Sequence, residues 1–153
     1  LRKDTLQGFV HDEASAFFGG LAGNAGLFST ARDVARVYQM LLNGGEIDGQ
    51  RYLSKETCQL FTTETSKISR RGLGFDKPDA DDPKKGNCAP AAPAEVYGHT
   101  GFTGTCAWVD PVNELVYVFL SNRIYPDVTN RKLNQLHIRE RIQGAIYDAM
   151  KKK

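Results

Sequence analysis

The strongest periodic pattern in the chain is a run of apolar positions at helical spacing after Thr30. These positions recur three and four residues apart and form one stripe: Val34, Val37, Tyr38, Leu41 and Leu42. Thr30 with Asp33 three residues later resembles a capping box, and Asn-Gly-Gly at 43–45 supplies a stop that tolerates positive φ. The pattern therefore predicts an amphipathic helix between Thr30 and that stop.

Two further helices are predicted from the same kind of signal. A short helix is expected from Ser54 through Phe61, with Ser54 as the N-cap and Glu56 favoured in the first turn. The last helix is expected from about Asn130 to Met150, and its trailing lysines suit the negative end of a helix. Its predicted buried face contains Leu133, Leu136, Ile142, Ala145, Ile146 and Ala149.

Between the second and last helices the pattern becomes that of β-strands. The predicted strands are "GLGF" at 72–75, "FTGTCAWV" at 102–109 and "ELVYVFLSN" at 114–122, and Pro111 in a tight turn makes the last two an antiparallel hairpin. The run 115–120 lacks polar alternation, which indicates a strand covered on both faces. The expected fold class is α+β, an antiparallel sheet of about three strands flanked by helices, with the last helix packed on one face.

Composition and charge exclude several classes of protein. The 153 residues are 41% hydrophobic and 25% charged, which is typical of one globular domain or a piece of a larger one. Lys and Arg number 20 against 18 Asp and Glu, and the basic residues are scattered, so no nucleic-acid surface is expected. Three cysteines without C-x-x-C spacing indicate neither a disulfide scaffold nor a zinc ribbon. No stretch of about 18 apolar residues is present for a membrane span.

A structural role is favoured for four segments that carry reactive or glycine-rich sequence. The glycine-rich stretch before the first predicted helix has neither G-x-x-x-x-G-K-[ST] nor G-x-G-x-x-G spacing, so a tight turn is favoured over nucleotide binding. His-Asp-Glu at 11–13 has no H-E-x-x-H companion, and Asp79 to Asp82 lacks the glycine of a calcium loop. His137 lies among charged residues on the last helix, which favours a solvated histidine. No metal site or cofactor is predicted. Four prolines make 77–94 a surface loop or flap.

The sequence Gly-His-Thr-Gly at 98–101 is a different case, because a cation-capable side chain, a hydroxyl and a glycine stand in succession at the entry to a strand. If His99 and Thr100 project from a strand edge into a cleft, they can bind an anionic or carbonyl group, while Gly101 lets a substrate approach the backbone. The N–H of Phe102 could then face an oxyanion. From spacing alone, this interpretation and a glycine-bearing bend with a satisfied histidine are about equally favoured.

Four stretches, taken together, resemble the C-terminal part of the serine β-lactamase and penicillin-binding-protein-like family, with the character of its class C-like esterases and peptidases. They are 19–45, "YLSKETCQLFTTE" at 52–64, "GLGF" and 97–123. The family carries a Lys/His-Thr-Gly triplet on the strand that borders its active site, and His99, Thr100 and Gly101 match it. The resemblance implies that the residue after the triplet, Phe102, lends its backbone N–H to the oxyanion hole.

Two other motifs of that family are not found in the 153 residues. No serine has a lysine three positions later, as S-x-x-K requires, and no tyrosine or serine has an asparagine two positions later. Both motifs lie upstream in the family, so the resemblance implies that residues 1–153 are the C-terminal portion of a longer hydrolase, with an incomplete β-lactamase-like fold. The chain alone is expected to be inactive.

The resemblance also implies what the intact protein would do. It implies acyl transfer on the amide or ester carbonyl of a small-molecule or peptide substrate, in a periplasmic or secreted protein. A missing N-terminal half would leave an open sheet edge and an exposed apolar face, so self-association of the chain is expected. The alternative is a non-catalytic module that keeps the family's sheet for binding peptides or glycans.

Overall fold

The computed structural model describes residues 5–63, 68–79, 81–82 and 85–152. The chain divides into two compact units, Leu1–Thr30 and Ala31–Lys153. In the first unit, helix α1 (Glu13–Phe17) begins at Asp12, whose carboxylate accepts a hydrogen bond from the N–H of Ser15 at 2.7 Å. The glycine-rich stretch after α1 forms a tight turn closed by a bridge between Ala22 and Ala25, as its composition predicts.

The second unit opens with the first two predicted helices, and both are confirmed. Helix α2 (Ala31–Leu42) ends where Gly44 and Gly45 adopt positive φ angles of 68° and 94°. Helix α3 (Lys55–Thr62) begins at Ser54, whose side chain accepts a hydrogen bond from a backbone N–H of the first turn. Local signals therefore set the end of α2 and the start of α3.

A two-residue hairpin between α2 and α3 is an element that the sequence analysis missed. Strand β1 (Glu46–Ile47) pairs antiparallel with β2 (Gln50–Arg51). The turn between them is Asp48-Gly49, and both residues have positive φ, 52° and 75°. Asp-Gly is the favoured pair for such a turn, so the signal was present in the sequence.

The main sheet has three antiparallel strands in the order β3-β4-β5. They are β3 (Tyr97–Thr100), β4 (Cys106–Asp110) and β5 (Leu115–Phe119). The β4–β5 hairpin and the α+β fold class are confirmed. The carboxylate of Asp110 accepts hydrogen bonds from the N–H groups of Val112 and Asn113 and so stabilises the turn of the hairpin.

One predicted strand was wrong, because 72–75 is a turn. The N–H of Gly72 donates to Phe75 O and that of Gly74 to Gly72 O, so these backbone groups are bonded inside the turn. The third strand of the sheet is instead "YGHT", and the segment after the turn pairs with it through an isolated bridge between Asp76 and Gly98. The strand predicted to start at 102 begins at Cys106, because 101–104 also forms a turn.

The last predicted helix is divided into α4 (Lys132–Gln135) and α5 (Ile138–Met150). His137 between them is left-handed, with φ 49°, and a residue in that conformation interrupts an α-helix. The buried residues of α5 are Arg139, Glu140, Gln143 and Tyr147. The predicted face was therefore wrong in part, since Leu136 and Ile142 are exposed.

Helices cover both faces of the sheet in the second unit. On one face α5 is tied to the strands by hydrogen bonds from Tyr117 Oη to Arg139 O at 3.1 Å and from Tyr147 Oη to Asp110 Oδ2 at 2.8 Å. The core cluster on this face contains Cys88, Val96, Cys106, Trp108 and Tyr117. Helix α2 also contacts β4 and β5 and lies on the other face. The packing of the last helix on one face is thus confirmed.

The strand that is buried along its whole length is β4, in the centre of the sheet, and not the predicted 115–120. In β5 only Tyr117 is buried, because β5 is an edge strand. Large apolar side chains also remain exposed in the second unit, among them Leu60, Ile68, Tyr125 and Leu136. Such side chains would favour self-association, which stays a prediction. Within the described residues, no helix has the length and hydropathy to cross a membrane.

Candidate functional site

The His-Thr-Gly triplet begins on β3, at the edge of the sheet. On its outer side, Gly98 donates its N–H to Asp76 O at 3.0 Å and accepts from Asp76 N at 2.7 Å. Backbone groups of a strand alternate in direction, so the N–H and C=O of Thr100 also point to this outer edge, away from β4. The triplet therefore borders the outer side of the sheet.

The side chains of the triplet do not share a face. Successive residues of a strand alternate, so His99 lies on the same face as Tyr97, and Thr100 lies on the opposite face. Gly98 is required by packing, because a Cβ there would lie 2.7 Å from Cε3 of Trp108 and 2.1 Å from Ala107 O. His99 and Thr100 therefore lie on the same strand edge, but their side chains do not line one wall of a cleft.

The exposed imidazole of His99 has two hydrogen-bond partners. Its Nδ1 lies 2.7 Å from Thr100 O, and its Nε2 lies 3.0 Å from Nη1 of Arg71. Arg71 is 28 positions away in sequence and stands just before the 72–75 turn. Sequence reasoning missed this residue, and no spacing or motif could have indicated it.

A buried carboxylate holds the segment that carries Arg71 against β3. Asp76, 1% exposed, accepts hydrogen bonds from Nε of Arg70 at 2.8 Å and from Nδ2 of Asn87 at 2.8 Å. Burial alone would raise the pKa of this carboxyl, but the hydrogen bonds from Arg70 and Asn87 outweigh it and hold the pKa below its ordinary value of 3.8. Asp76 is thus an ionised anchor at neutral pH.

The substitution Asp76→Asn is expected to destabilise the protein by about 1.5–3 kcal/mol at pH 7, because it removes a buried charged acceptor from Arg70. Since the folded pKa is lowered, the stabilising effect of ionised Asp76 is full above its unfolded pKa near 3.8 and is lost as pH falls through the lower folded pKa. Urea unfolding at several pH values measures this difference. The substitution Asp148→Asn, at an exposed position, serves as the control. A loss of unfolding free energy from Asp76→Asn that stays the same down to pH 2 would contradict the account.

The turn after the triplet is fixed by Arg123. The N–H of Gly101 donates to Thr105 O at 2.8 Å. Gly104 has a φ of 102°, and a Cβ at this position would clash with the side chain of Ser121. Nε of Arg123 donates to Phe102 O at 2.8 Å, and the guanidinium lies 4.6 Å from the centroid of the Phe102 ring. The backbone of Phe102 is therefore held in one place although its ring is largely exposed.

The cysteines do not form a site. Burial raises the pKa of Cys88 to about 12 and that of Cys106 to about 11, and it raises the pKa of Cys58 as well. A thiol with a raised pKa is mostly protonated at neutral pH and is a poor nucleophile. These residues are core side chains.

The other sequence candidates stay apart from the triplet or have local roles. Asp12 of the His-Asp-Glu segment caps α1, and His137 marks the break between α4 and α5. Among the described residues, no group of His, Cys, Asp and Glu side chains is arranged to hold a metal ion. Ala80, which lies inside the acidic segment 79–82, and Pro83 after it are outside the described residues.

An open cleft of about 690 Å³ lies between α2, α3 and the start of β3. Its lining includes Leu41, Cys58, Thr62 and Tyr97, and none of the triplet residues. Lys77 at its base donates from Nζ to three backbone carbonyls at 3.3 Å, those of Thr62, Glu95 and Val96. The ammonium is thus used to join α3 to β3, and the cleft is separate from the triplet.

An antiparallel sheet between helices, with a His-Thr-Gly edge strand, is the arrangement of the serine β-lactamase and penicillin-binding-protein-like hydrolases. The family model described as Beta-lactamase matches residues 3–140. The chain belongs to the β-lactamase family, a family of serine hydrolases.

Curated relatives agree with this membership. The chain is 37% identical over 135 residues to proteins of Escherichia coli (strain K12), Salmonella agona (strain SL483) and Salmonella typhi. Each of these is provisionally named a D-alanyl-D-alanine carboxypeptidase. The matched segment covers 88% of this chain but only 31% of the relatives' own length.

Proposed function

We propose that this chain supplies one wall of the active site of a longer serine hydrolase, whose nucleophile comes from a segment that precedes the chain in a full-length parent protein. The observation that carries the proposal is the position of the His99-Thr100-Gly101 triplet at the end of β3, which is an edge strand of the sheet. The relatives' greater length and the lack of S-x-x-K in the 153 residues support the same proposal.

In the proposed reaction, a serine oxygen attacks the carbonyl carbon of an amide or ester. A neighbouring lysine or tyrosine takes the proton of the serine hydroxyl and gives it to the amine or alcohol that leaves. Water then attacks the acylated serine, which releases the acid and restores the serine. The backbone N–H of Phe102 stabilises the negative oxygen of the intermediate, since its turn is held rigidly by Arg123. Thr100 orients the acyl group at the strand edge.

The substrate class that we propose is a peptide that ends in D-alanyl-D-alanine. The support is the provisional name of the relatives, together with an edge strand along which an extended peptide backbone can lie. Small esters and β-lactams present the same reacting carbonyl and serve as probes.

The test is covalent labelling of the parent protein with a fluorescent penicillin, after its upstream sequence is read from the gene. We expect an in-frame S-x-x-K motif upstream and one adduct on its serine, lost when that serine is changed to alanine. A parent that has no such motif and forms no adduct, yet binds peptide or glycan, would instead support the non-catalytic module.

A further inference from the structure

The peptide group that joins Gly101 to Phe102 has a fixed direction. The N–H of Gly104 donates to Gly101 O at 3.0 Å, so this carbonyl points into the turn. A trans peptide group is planar, and its N–H points away from its carbonyl. The N–H of Phe102 belongs to the same peptide group and is therefore directed out of the turn, as a donor to an oxyanion must be.

Arg123 holds the next peptide group from outside the turn. Its Nε donates to Phe102 O at 2.8 Å, and its backbone N–H donates to Thr103 O at 2.9 Å. Its guanidinium also lies against the Phe102 ring, 4.6 Å from the ring centroid. The peptide groups on both sides of the Phe102 Cα are thus held, so the two backbone dihedral angles of Phe102 have little freedom.

An exposed turn at 127–130 orients the guanidinium of Arg123. Nη1 of Arg123 donates to Val128 O at 3.3 Å and to Asn130 O at 3.4 Å. One guanidinium therefore bridges two turns that are separated in sequence, because Nε binds the first and Nη1 binds the second.

The 127–130 turn is closed by one of its own carboxylates. Oδ1 of Asp127 accepts hydrogen bonds from the hydroxyl of Thr129 at 2.7 Å and from its N–H at 2.8 Å. These hydrogen bonds hold the pKa of Asp127 below its ordinary value of 3.8, so the carboxylate is ionised at neutral pH. The carbonyls that orient Arg123 are thus fixed by residues on the surface of the protein.

The other end of the turn after the triplet is held by the core. Thr105 O accepts from the N–H of Gly101 at 2.8 Å and from Nη1 of Arg139 at 3.4 Å. Arg139 is buried and belongs to α5. The Phe102 end of the turn is therefore the end whose geometry depends on Arg123 and on a surface segment.

We propose that Arg123 is a positioning residue of this site, which couples the exposed 127–130 turn to the peptide group that carries the Phe102 N–H. In this role Arg123 does not touch the substrate. Its loss slows the step in which negative charge develops on the carbonyl oxygen and leaves substrate binding nearly unchanged. The function of this N–H rests on the proposed acyl transfer.

The experiment compares hydrolysis of a nitrophenyl ester and of its thionoester by the full-length parent. In the thionoester a sulfur replaces the carbonyl oxygen, and sulfur is a larger atom and a weaker hydrogen-bond acceptor. A well-oriented N–H therefore favours the ester. A variant that is only partly folded loses the same fraction of kcat/KM for both substrates, so the ratio of the two values reports on the oxyanion donor and not on stability.

Arg123→Ala is expected to lower kcat for the ester about 10- to 100-fold and to change KM less than about 3-fold. The ratio of ester to thionoester kcat/KM is expected to fall about 10-fold. Arg123→Lys is expected to recover part of the ratio, because an ammonium can donate to Phe102 O but lacks the fork that also binds the 127–130 turn. The matched control is Arg131→Ala, which removes an exposed arginine side chain that caps no helix and is expected to leave the ratio unchanged.

The coupling to the surface turn is tested with Asp127→Ala. This substitution removes the acceptor of the two Thr129 hydrogen bonds and leaves Arg123 in place. We expect the ratio to fall about 2- to 5-fold, because the carbonyls that orient Arg123 are loosened. Asp148→Ala, at an exposed position of α5, is the control and is expected to leave the ratio unchanged.

Amide hydrogen exchange of the parent gives a measurement that needs no turnover. Arg123→Ala is expected to speed exchange in the segment 101–104 at least about 5-fold, while β4 exchanges as in the unchanged parent.

In an active parent, a ratio that Arg123→Ala leaves unchanged overturns the inference, as does an equal fall in Arg131→Ala, and the proposed function is retained. A ratio that Asp127→Ala leaves unchanged overturns the coupling to the surface turn. A parent that cleaves neither ester loses the proposed function, and hydrogen exchange then decides about Arg123. Faster exchange at 101–104 retains Arg123 as the residue that positions the turn, and unchanged exchange overturns it.

Discussion

The isolated 153-residue chain is expected to hydrolyse neither a chromogenic cephalosporin nor a nitrophenyl ester, with any rate at least about a million-fold below that of the proposed full-length parent. A neutral serine without an adjacent base is a poor nucleophile, and no serine of the chain has a lysine one helical turn later. Binding contacts alone supply only a small part of an acyl-transfer rate.

The surroundings of the described serines agree with this expectation. Ser15 is fully buried and donates to Asn24, and Ser54 is the N-cap of α3. Among the described residues, Ser121 Oγ is buried with no hydrogen-bond partner. Ser69 Oγ accepts from the backbone of Arg71, and Ser29 Oγ donates to Thr30 O. None of these hydroxyls is paired with a lysine, histidine or carboxylate that could take its proton. Ser66 lies outside the described residues.

Both proteins are assayed side by side with both substrates. Saturable turnover by the purified chain, abolished when one of its own serines is changed to alanine, would show that it contains a nucleophile after all. Turnover by neither the chain nor the parent would count against the proposed hydrolase.

The second large effect concerns stability, and Trp108→Ala is expected to cost about 3–5 kcal/mol of unfolding free energy in the full-length parent. Trp108 is 1% exposed, lies in the core cluster under α5 and packs directly against Gly98 of β3. Its removal leaves a cavity between the sheet and the helix. Urea unfolding followed by far-UV circular dichroism measures the loss, because Trp108 is the single tryptophan of the 153 residues and indole fluorescence would no longer report on this region in the variant.

Two comparison variants separate the packing effect from other causes. Trp108→Phe is expected to lose less, because a ring still fills most of the space and the buried indole N–H has no hydrogen-bond partner in the described structure. Val112→Ala, at the exposed turn of the β4–β5 hairpin, is expected to change stability by less than about 0.5 kcal/mol. Equal losses for Trp108→Ala and Val112→Ala would contradict the central position of Trp108 in the core.

The parts of the fold that sequence could predict are those specified locally. Helix α2 has its own glycine stop, helix α3 has its own N-cap, and the β4–β5 hairpin has its own turn residue. The break at His137 has no such signal, because it depends on how α5 packs against the sheet. The segment 72–75 reads as a strand by apolar pattern, but its glycines allow a turn that satisfies its own hydrogen bonds.

The site divides in the same way between local and distant determinants. The triplet His99-Thr100-Gly101 could be identified because its residues are consecutive. The contact between His99 and Arg71 spans 28 positions, and the hydrogen bond from Arg123 to Phe102 spans 21. Contacts of this range arise only when the sheet is assembled, so a single sequence gives no sign of them.

The turn after Arg71 is joined to β3 by backbone hydrogen bonds at the pair Asp76 and Gly98, together with side-chain contacts, and this affects how such a site can evolve. Insertions and deletions are tolerated best in turns, and one between Arg71 and Asp76 would move the cation along the strand edge without breaking the ladder of β3 with β4. A lineage could then change the spacing between Arg71 and His99 while the triplet and the core under Trp108 stay the same.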